Sequence, residues 1–227
     1  MRAGNVNVNT YYLYRNGEWI SSHGSLTDSR DGKTYKTVII GTQTWMAENL
    51  NYVTAKSSCY DGNSDNCTKY GRLYSWAAAM DSAGIWSTNG KGCGYSECSP
   101  TYTVRGICPE GWHLPTKTEW VTLTTAVGGT SVAGKMLKST SGWIEYNGES
   151  GNGTDAYGFS ALPAGICDNL HGDLDCLEES YHSRFWSSTR LNYTAGNIQL
   201  YHKYNKVLFQ DNNVMGLFSV RCVKDAN

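Results

Sequence analysis

Charge is scarce in this chain: only 17% of its residues are Asp, Glu, Lys or Arg, and they nearly cancel to a net charge of -1. A surface with no basic excess has no electrostatic means of holding nucleic acid or an anionic membrane, so neither is expected as a partner. Phenylalanine and proline are sparse, at four each, and no apolar run is long enough to span a bilayer. No secretory leader starts at Met1. The stretch that follows reads as internal, as though cut from a longer exported precursor. No tight C-x2-C pair stands near histidines, which removes the usual zinc signature.

What is abundant is tyrosine, tryptophan and glycine, at 16, 8 and 25 residues. With 40% hydrophobic residues a full core is within reach, but the polar surface has to be built from Ser, Thr, Asn, Gly and Tyr. Aromatic rings with a polar handle suit contact surfaces, because they bury area while freezing few rotors. Eight cysteines, an even number, point to disulfides and hence to an oxidising compartment, extracellular or on the cell surface.

Residues 1–28 are Asn- and Ser-rich, with a hairpin signal at Asn16-Gly17, and read as a β arm or linker ahead of a main domain at 29–227. That domain opens on a β-branched run ending in Gly41-Thr42, a two-residue turn of type II′. Leu73, Trp76, Ala77 and Met80 fall at helical spacing, with Gly84 as a stop. Thr116-Lys117-Thr118-Glu119 is a capping box ahead of the stripe Trp120, Leu123, Val127, which Gly128-Gly129 ends. Long loops follow, then a strand-rich end from Phe185 to Val223. Strands, two helices, loops and an antiparallel meander make an α+β domain.

The stretches DGKTYKTVIIGTQTWMAENLNY (31–52), KYGRLYSWAAAM (69–80), CPEGWHLPTKTEW (108–120), GTDAYGFSALPAG (153–165), FWSST (185–189) and FSVRCVKD (218–225) carry a resemblance. In that order they resemble the Fibrobacter succinogenes major paralogous domain family, with C-type-lectin-like and sulfatase-modifying-factor folds as wider relatives. The family is known mainly as an extracellular or lipoprotein-borne domain, so a larger parent surface protein is expected. The resemblance implies a C-type-lectin-like fold: a twisted antiparallel sheet, two helices and long loops. It also implies a bond from Cys108, near the second helix, to Cys222 in the last strand. By locality the rest pair as Cys59 with Cys67, Cys93 with Cys98, and Cys167 with Cys176. Closing the long Cys108–Cys222 loop is worth about 4–5 kcal/mol in the chain-entropy model.

Sugar-binding lectins hold calcium with Glu-Pro-Asn or Gln-Pro-Asp and Trp-Asn-Asp. This chain has neither motif. Asp168, Asp173, Asp175, Glu178 and Glu179 offer oxygen donors that suit calcium, but not at EF-hand spacing, and no cofactor is expected. Paired cysteines cannot supply the thiolates that a copper-dependent relative needs. His113 lies inside GWHLP and reads as structural. His171, His182 and His202 lack a partner that defines a triad. Trp45, Trp76, Trp112, Trp120 and Trp186 read as core, while Trp19, Trp86 and Trp143 stand in loop-like contexts where they could stack on sugar rings.

The segment from Tyr181 to Asn213 is the candidate site. One strand face is expected to be core, through Ile198, Leu200, Val207 and Phe209. The other is expected to present Tyr181, His182, Arg190, Asn192, Tyr193, Asn197, Gln199, Tyr201, Tyr204, Asn205, Gln210, Asn212 and Asn213. Tyr193, Tyr201 and Tyr204 are the expected anchors and Arg190 the polar one. The expected function is non-catalytic binding of a glycan or a surface protein. Competing expectations are a polysaccharide-acting enzyme using His182 or the carboxylates at 168–179, and a structural spacer in a larger surface protein.

Overall fold

The computed structural model describes residues 12–15, 18–168 and 174–226. In chain order the strands and helices begin with β1 (Tyr12–Arg15), β2 (Glu18–Ser21), β3 (His23–Thr27), β4 (Thr34–Ile40), β5 (Gln43–Met46) and β6 (Ser57–Ser58). The middle holds α1 (Ser64–Tyr70), β7 (Leu73–Ser75), α2 (Trp76–Ala79), β8 (Trp112–His113), α3 (Lys117–Ala126) and α4 (Thr130–Leu137). The end is strands alone: β9 (Ala164–Asp168), β10 (Asp175–Glu179), β11 (His182–Leu191), β12 (Thr194–Tyr201), β13 (Val207–Asn213), β14 (Leu217–Ser219) and β15 (Val223–Lys224). The fold is mixed α+β with few helices.

Two sheets make the body. One runs β3-β4-β5-β15-β8, so the last strand closes beside the first ones, with Val223 opposite Trp45. The other runs β13-β12-β11-β9-β14-β7-β6, with β10 on β9. β1 and β2 pair only with each other, and the Asn16-Gly17 turn between them lies outside the described residues. β3 pairs with β4 along its whole length, from His23↔Val38 to Thr27↔Thr34. The sheet therefore begins upstream of the boundary expected at residue 28.

Local chemistry explains the elements that position the rest. Gly41 has φ 61 in the two-residue turn between β4 and β5, as a type II′ turn demands. Thr116 accepts from the Glu119 N–H at 3.2 Å while the Glu119 carboxylate accepts from the Thr116 N–H at 2.8 Å, a closed capping box worth about 1 kcal/mol. The helix expected from Leu73 to Met80 is corrected. Leu73–Ser75 pairs with β14 instead, and the Ser75 hydroxyl caps a single turn, accepting from Ala78 N–H at 3.2 Å. α1 and α4 were not expected.

The core contains all five tryptophans read as core. Trp45 and Trp120 meet at 4.5 Å, with Phe159 and Phe185 beside them. Trp186 stacks on Phe218 at 4.1 Å, and Trp76 and Trp112 are buried. Trp143, expected in a loop, is buried too, its indole N–H shared between Ser139 Oγ at 3.0 Å and the Ala161 carbonyl at 3.1 Å. Trp86 is partly buried against Tyr52 at 5.6 Å, under the Arg30 guanidinium. The side chain of Trp19 lies outside the described residues. Four disulfides join Cys59–Cys67, Cys93–Cys98, Cys108–Cys222 and Cys167–Cys176, the pairing expected.

Candidate functional site

The expected site falls on β11, β12 and β13, which pair antiparallel from His182↔Tyr201 to Leu191↔Thr194 and from Leu200↔Val207 to Thr194↔Asn213. The core face is as expected: Ile198, Leu200 and Val207 are buried and Phe209 packs on them. The other face is not a display surface at its centre. Asn197 and Gln199 are 3% and 5% exposed. The Gln199 amide donates to Asn197 Oδ1 at 3.0 Å and both side chains donate to Asn212 Oδ1 at 2.9 Å. β12 is an inner strand covered on both faces, and buried amides must pair with one another. These three residues form an internal brace.

That brace divides the expected residues into two groups. Tyr193, in the turn just before β12, and Tyr201, at its end, stand at opposite ends of that strand, roughly 26 Å apart, so no small ligand touches both.

At the near end, the turn after β12 gathers aromatic rings. His202 meets Tyr181 at 5.1 Å and Tyr146 at 5.5 Å, and Tyr201 meets Tyr204 at 6.0 Å. The Lys203 ammonium stands 5.2 Å from the Tyr204 ring and 5.9 Å from that of Tyr146. Tyr146, Tyr181 and Tyr204 remain 46%, 45% and 37% exposed. Beneath them Lys138, 1% exposed, donates to the carbonyls of Gly151, Tyr201, His202 and Tyr204 at 2.6, 3.0, 3.2 and 3.3 Å. Burial, with Lys135 nearby, pulls the Lys138 ammonium down to about 8. A buried cation with carbonyl partners alone holds the turn in one shape.

His182 supports the same end from below and is fully buried, against the expectation that it is displayed. It stacks on Tyr201 at 4.0 Å. Arg184 Nε donates to its Nε2 at 3.3 Å, so the ring is the tautomer that donates from Nδ1 to the Glu178 carboxylate at 2.5 Å. Burial and then the Arg184 charge push its pKa down to about 4, outweighing Glu178. Both ring nitrogens are engaged.

At the far end, the two-residue turn Asn192-Tyr193 is exposed. Arg190 does not point outward as a free anchor. Its guanidinium donates to the carbonyls of Ser96, Gly94 and Tyr95 at 2.6, 2.9 and 3.3 Å and to that of Asn192, and it lies over Trp76 at 5.4 Å. Asn205, Gln210 and Asn213 are exposed along β13 and its preceding turn.

Elsewhere, His113, read as structural, is held between two carboxylates. Its ring bonds Glu119 at 2.7 Å and Asp225 at 2.6 Å, joining the start of α3 to the chain after β15. Burial opposes its charge, but the two carboxylates raise its pKa overall. Glu179 accepts from Tyr70 at 2.7 Å and pairs with Lys69. Among the described residues no cluster of three or more metal-ligating side chains occurs, while His171 and Asp173 lie outside them.

Sequence reasoning missed Tyr146 and Lys138. Tyr146 sits on a hairpin turn through Asn147-Gly148, with φ 52 and 80, a dipeptide that marks such turns. Lys138, just past the end of α4, carries no signal that separates it from a solvated last-turn lysine.

These features define a disulfide-stapled α+β domain with aromatic turns at the ends of a braced sheet. The chain belongs to the Fibrobacter succinogenes major domain family, whose model matches residues 38–224. No curated protein and no solved structure matches the chain.

Proposed function

We propose that this chain is an extracellular, non-catalytic binding module with a C-type-lectin-like fold, recognising a glycan or a surface protein through the near end of its C-terminal sheet. The observation that carries this reading is the group of half-exposed rings, Tyr146, Tyr181 and Tyr204, around His202 on a turn held rigid by Lys138. Rings fixed before contact offer large area with little rotor entropy left to lose, and their hydroxyls give direction. Lys203 and the exposed amides Asn205 and Gln210 supply polar contacts beside them. Four disulfides suit an oxidising compartment. His182, which an enzyme reading would use alongside or instead of the carboxylates at 168–179, has neither ring nitrogen free to take a proton from substrate. The lectin-like fold is supported by the pairing of the last strand, β15, with β5 and by the Cys108–Cys222 bond beside it.

A glycan array combined with a pulldown of surface proteins identifies the ligand. Tyr181→Ala and Tyr204→Ala should each then weaken binding about 10- to 30-fold, with the thermal midpoint unchanged. Wild-type affinity in both variants, or turnover of a glycan that His182→Ala abolishes, would sink this reading.

A further inference from the structure

Residues inside or next to three disulfide loops line one pocket of about 420 Å³. Its buried floor is Val214 and Leu217, Ala77 and Leu174 form its walls, and Tyr95 and Met215, 68% and 38% exposed, stand at its rim. Tyr95 lies inside the Cys93–Cys98 loop, Leu174 inside the Cys167–Cys176 loop, and the serine wall at 57–58 runs directly into Cys59. Arg190 holds the Tyr95 loop by its carbonyls. The Tyr95 side of the pocket is thus tied both by a disulfide and by Arg190.

The polar inventory of the lining is short. Ser57 Oγ donates to the Thr54 carbonyl at 2.7 Å, Ser58 Oγ to that of Cys59 at 3.0 Å, and Ser75 Oγ accepts from the Ala78 N–H at 3.2 Å. All three hydroxyls are used internally. The one charge on the lining is Lys56, and no carboxylate among the described residues lies within ion-pair distance of it. An apolar pocket of this size with one unpaired ammonium fits a small amphipathic anion. The methionine sulfur and tyrosine ring at the rim favour an aromatic body over an aliphatic one.

We infer that this pocket binds a small aromatic carboxylate, the ring seated over Val214 and Leu217 between Ala77 and Met215 and the carboxylate paired with Lys56. The pocket shares no residue with the tyrosine turn, so it stands or falls separately from the function proposed above.

The test is titration of the full chain with 4-hydroxycinnamate, and with 4-hydroxycinnamyl alcohol as the neutral control, followed by calorimetry and by the methyl resonance of Met215. The acid should saturate one site with Kd on the order of 0.1–1 mM and shift the Met215 signal. The alcohol should bind about 10-fold more weakly, and Lys56→Met, an exposed change, should erase that difference. Ala77→Leu and Met215→Trp fill the pocket from the wall and from the rim, and each should weaken the acid at least about 10-fold. Tyr204→Ala should leave it unchanged. Absence of saturation up to about 10 mM, equal affinity for acid and alcohol, or a Met215 methyl that does not move would each overturn the assignment.

Discussion

The two ends of the C-terminal sheet are organised alike and constrained differently. At each, one cation gathers loop carbonyls while lying over a tryptophan: Lys138 over Trp143 at 5.1 Å, Arg190 over Trp76 at 5.4 Å. Lys138 is buried, so its carbonyls have no water to turn to if the ammonium leaves. Arg190 is half-buried, and water can replace part of what it does. The Arg190 end also carries the Cys93–Cys98 bond across the loop that it holds. Burial fixes one end, and covalent closure is added where burial is incomplete.

The sharpest way to break this comparison is to remove the cations. Lys138→Met should cost about 3–4 kcal/mol, since the unpaired carbonyls outweigh relief of the buried charge, and should lower the thermal midpoint by about 10 °C. A loss no larger than that of Arg190→Met would show that burial is not what separates the ends.

Acid should probe the same difference. An unfolded His182 takes up its proton near 6.5 and the folded one only at about 4. Its contribution is therefore complete above pH 6.5 and declines as pH falls toward 4, by about 3 kcal/mol in all. Denaturant midpoints at pH 7.5 and pH 4.5 should diverge less in His182→Gln than in wild type; equal divergence places the acid lability elsewhere.

On binding, Tyr204→Ala should cost about 2 kcal/mol, against almost nothing for Tyr193→Ala at the far end. The reverse order would move the contact surface to the Asn192-Tyr193 turn. The smallest effect on stability is expected for Arg190→Met, about 1 kcal/mol, with loosening confined to residues 94–96. Hydrogen exchange at those amides measures it.

The parts of the fold legible in the sequence are those set by local chemistry. Short spacings named three disulfides, Gly41 named a turn and Thr116 with Glu119 named a helix start. The α+β order followed from the succession of strand, helix and loop patterns, and the fourth disulfide from the family resemblance. What was illegible depends on partners distant in the chain. Leu73 to Met80 has helical spacing, but Leu73–Ser75 answers to β14. Asn197 and Gln199 alternate with apolar residues as a solvated face does, and only the third amide, Asn212, makes them tolerable inside. Lys138 draws no reading from sequence and Arg190 reads as an outward polar anchor, because no pattern in sequence marks a side chain whose partners are backbone carbonyls.

The Cys108–Cys222 bond has a mechanical consequence. It closes a covalent ring of everything from β8 to β14, including both ends of the braced sheet. Force applied along the chain crosses from Cys108 to Cys222 through the sulfur atoms and leaves the ring slack. Tension loads only the strands outside the ring, where β15 pairs with β5. When the domain is pulled through its two ends, the turn that carries Tyr201 and Tyr204 is thus left unstretched.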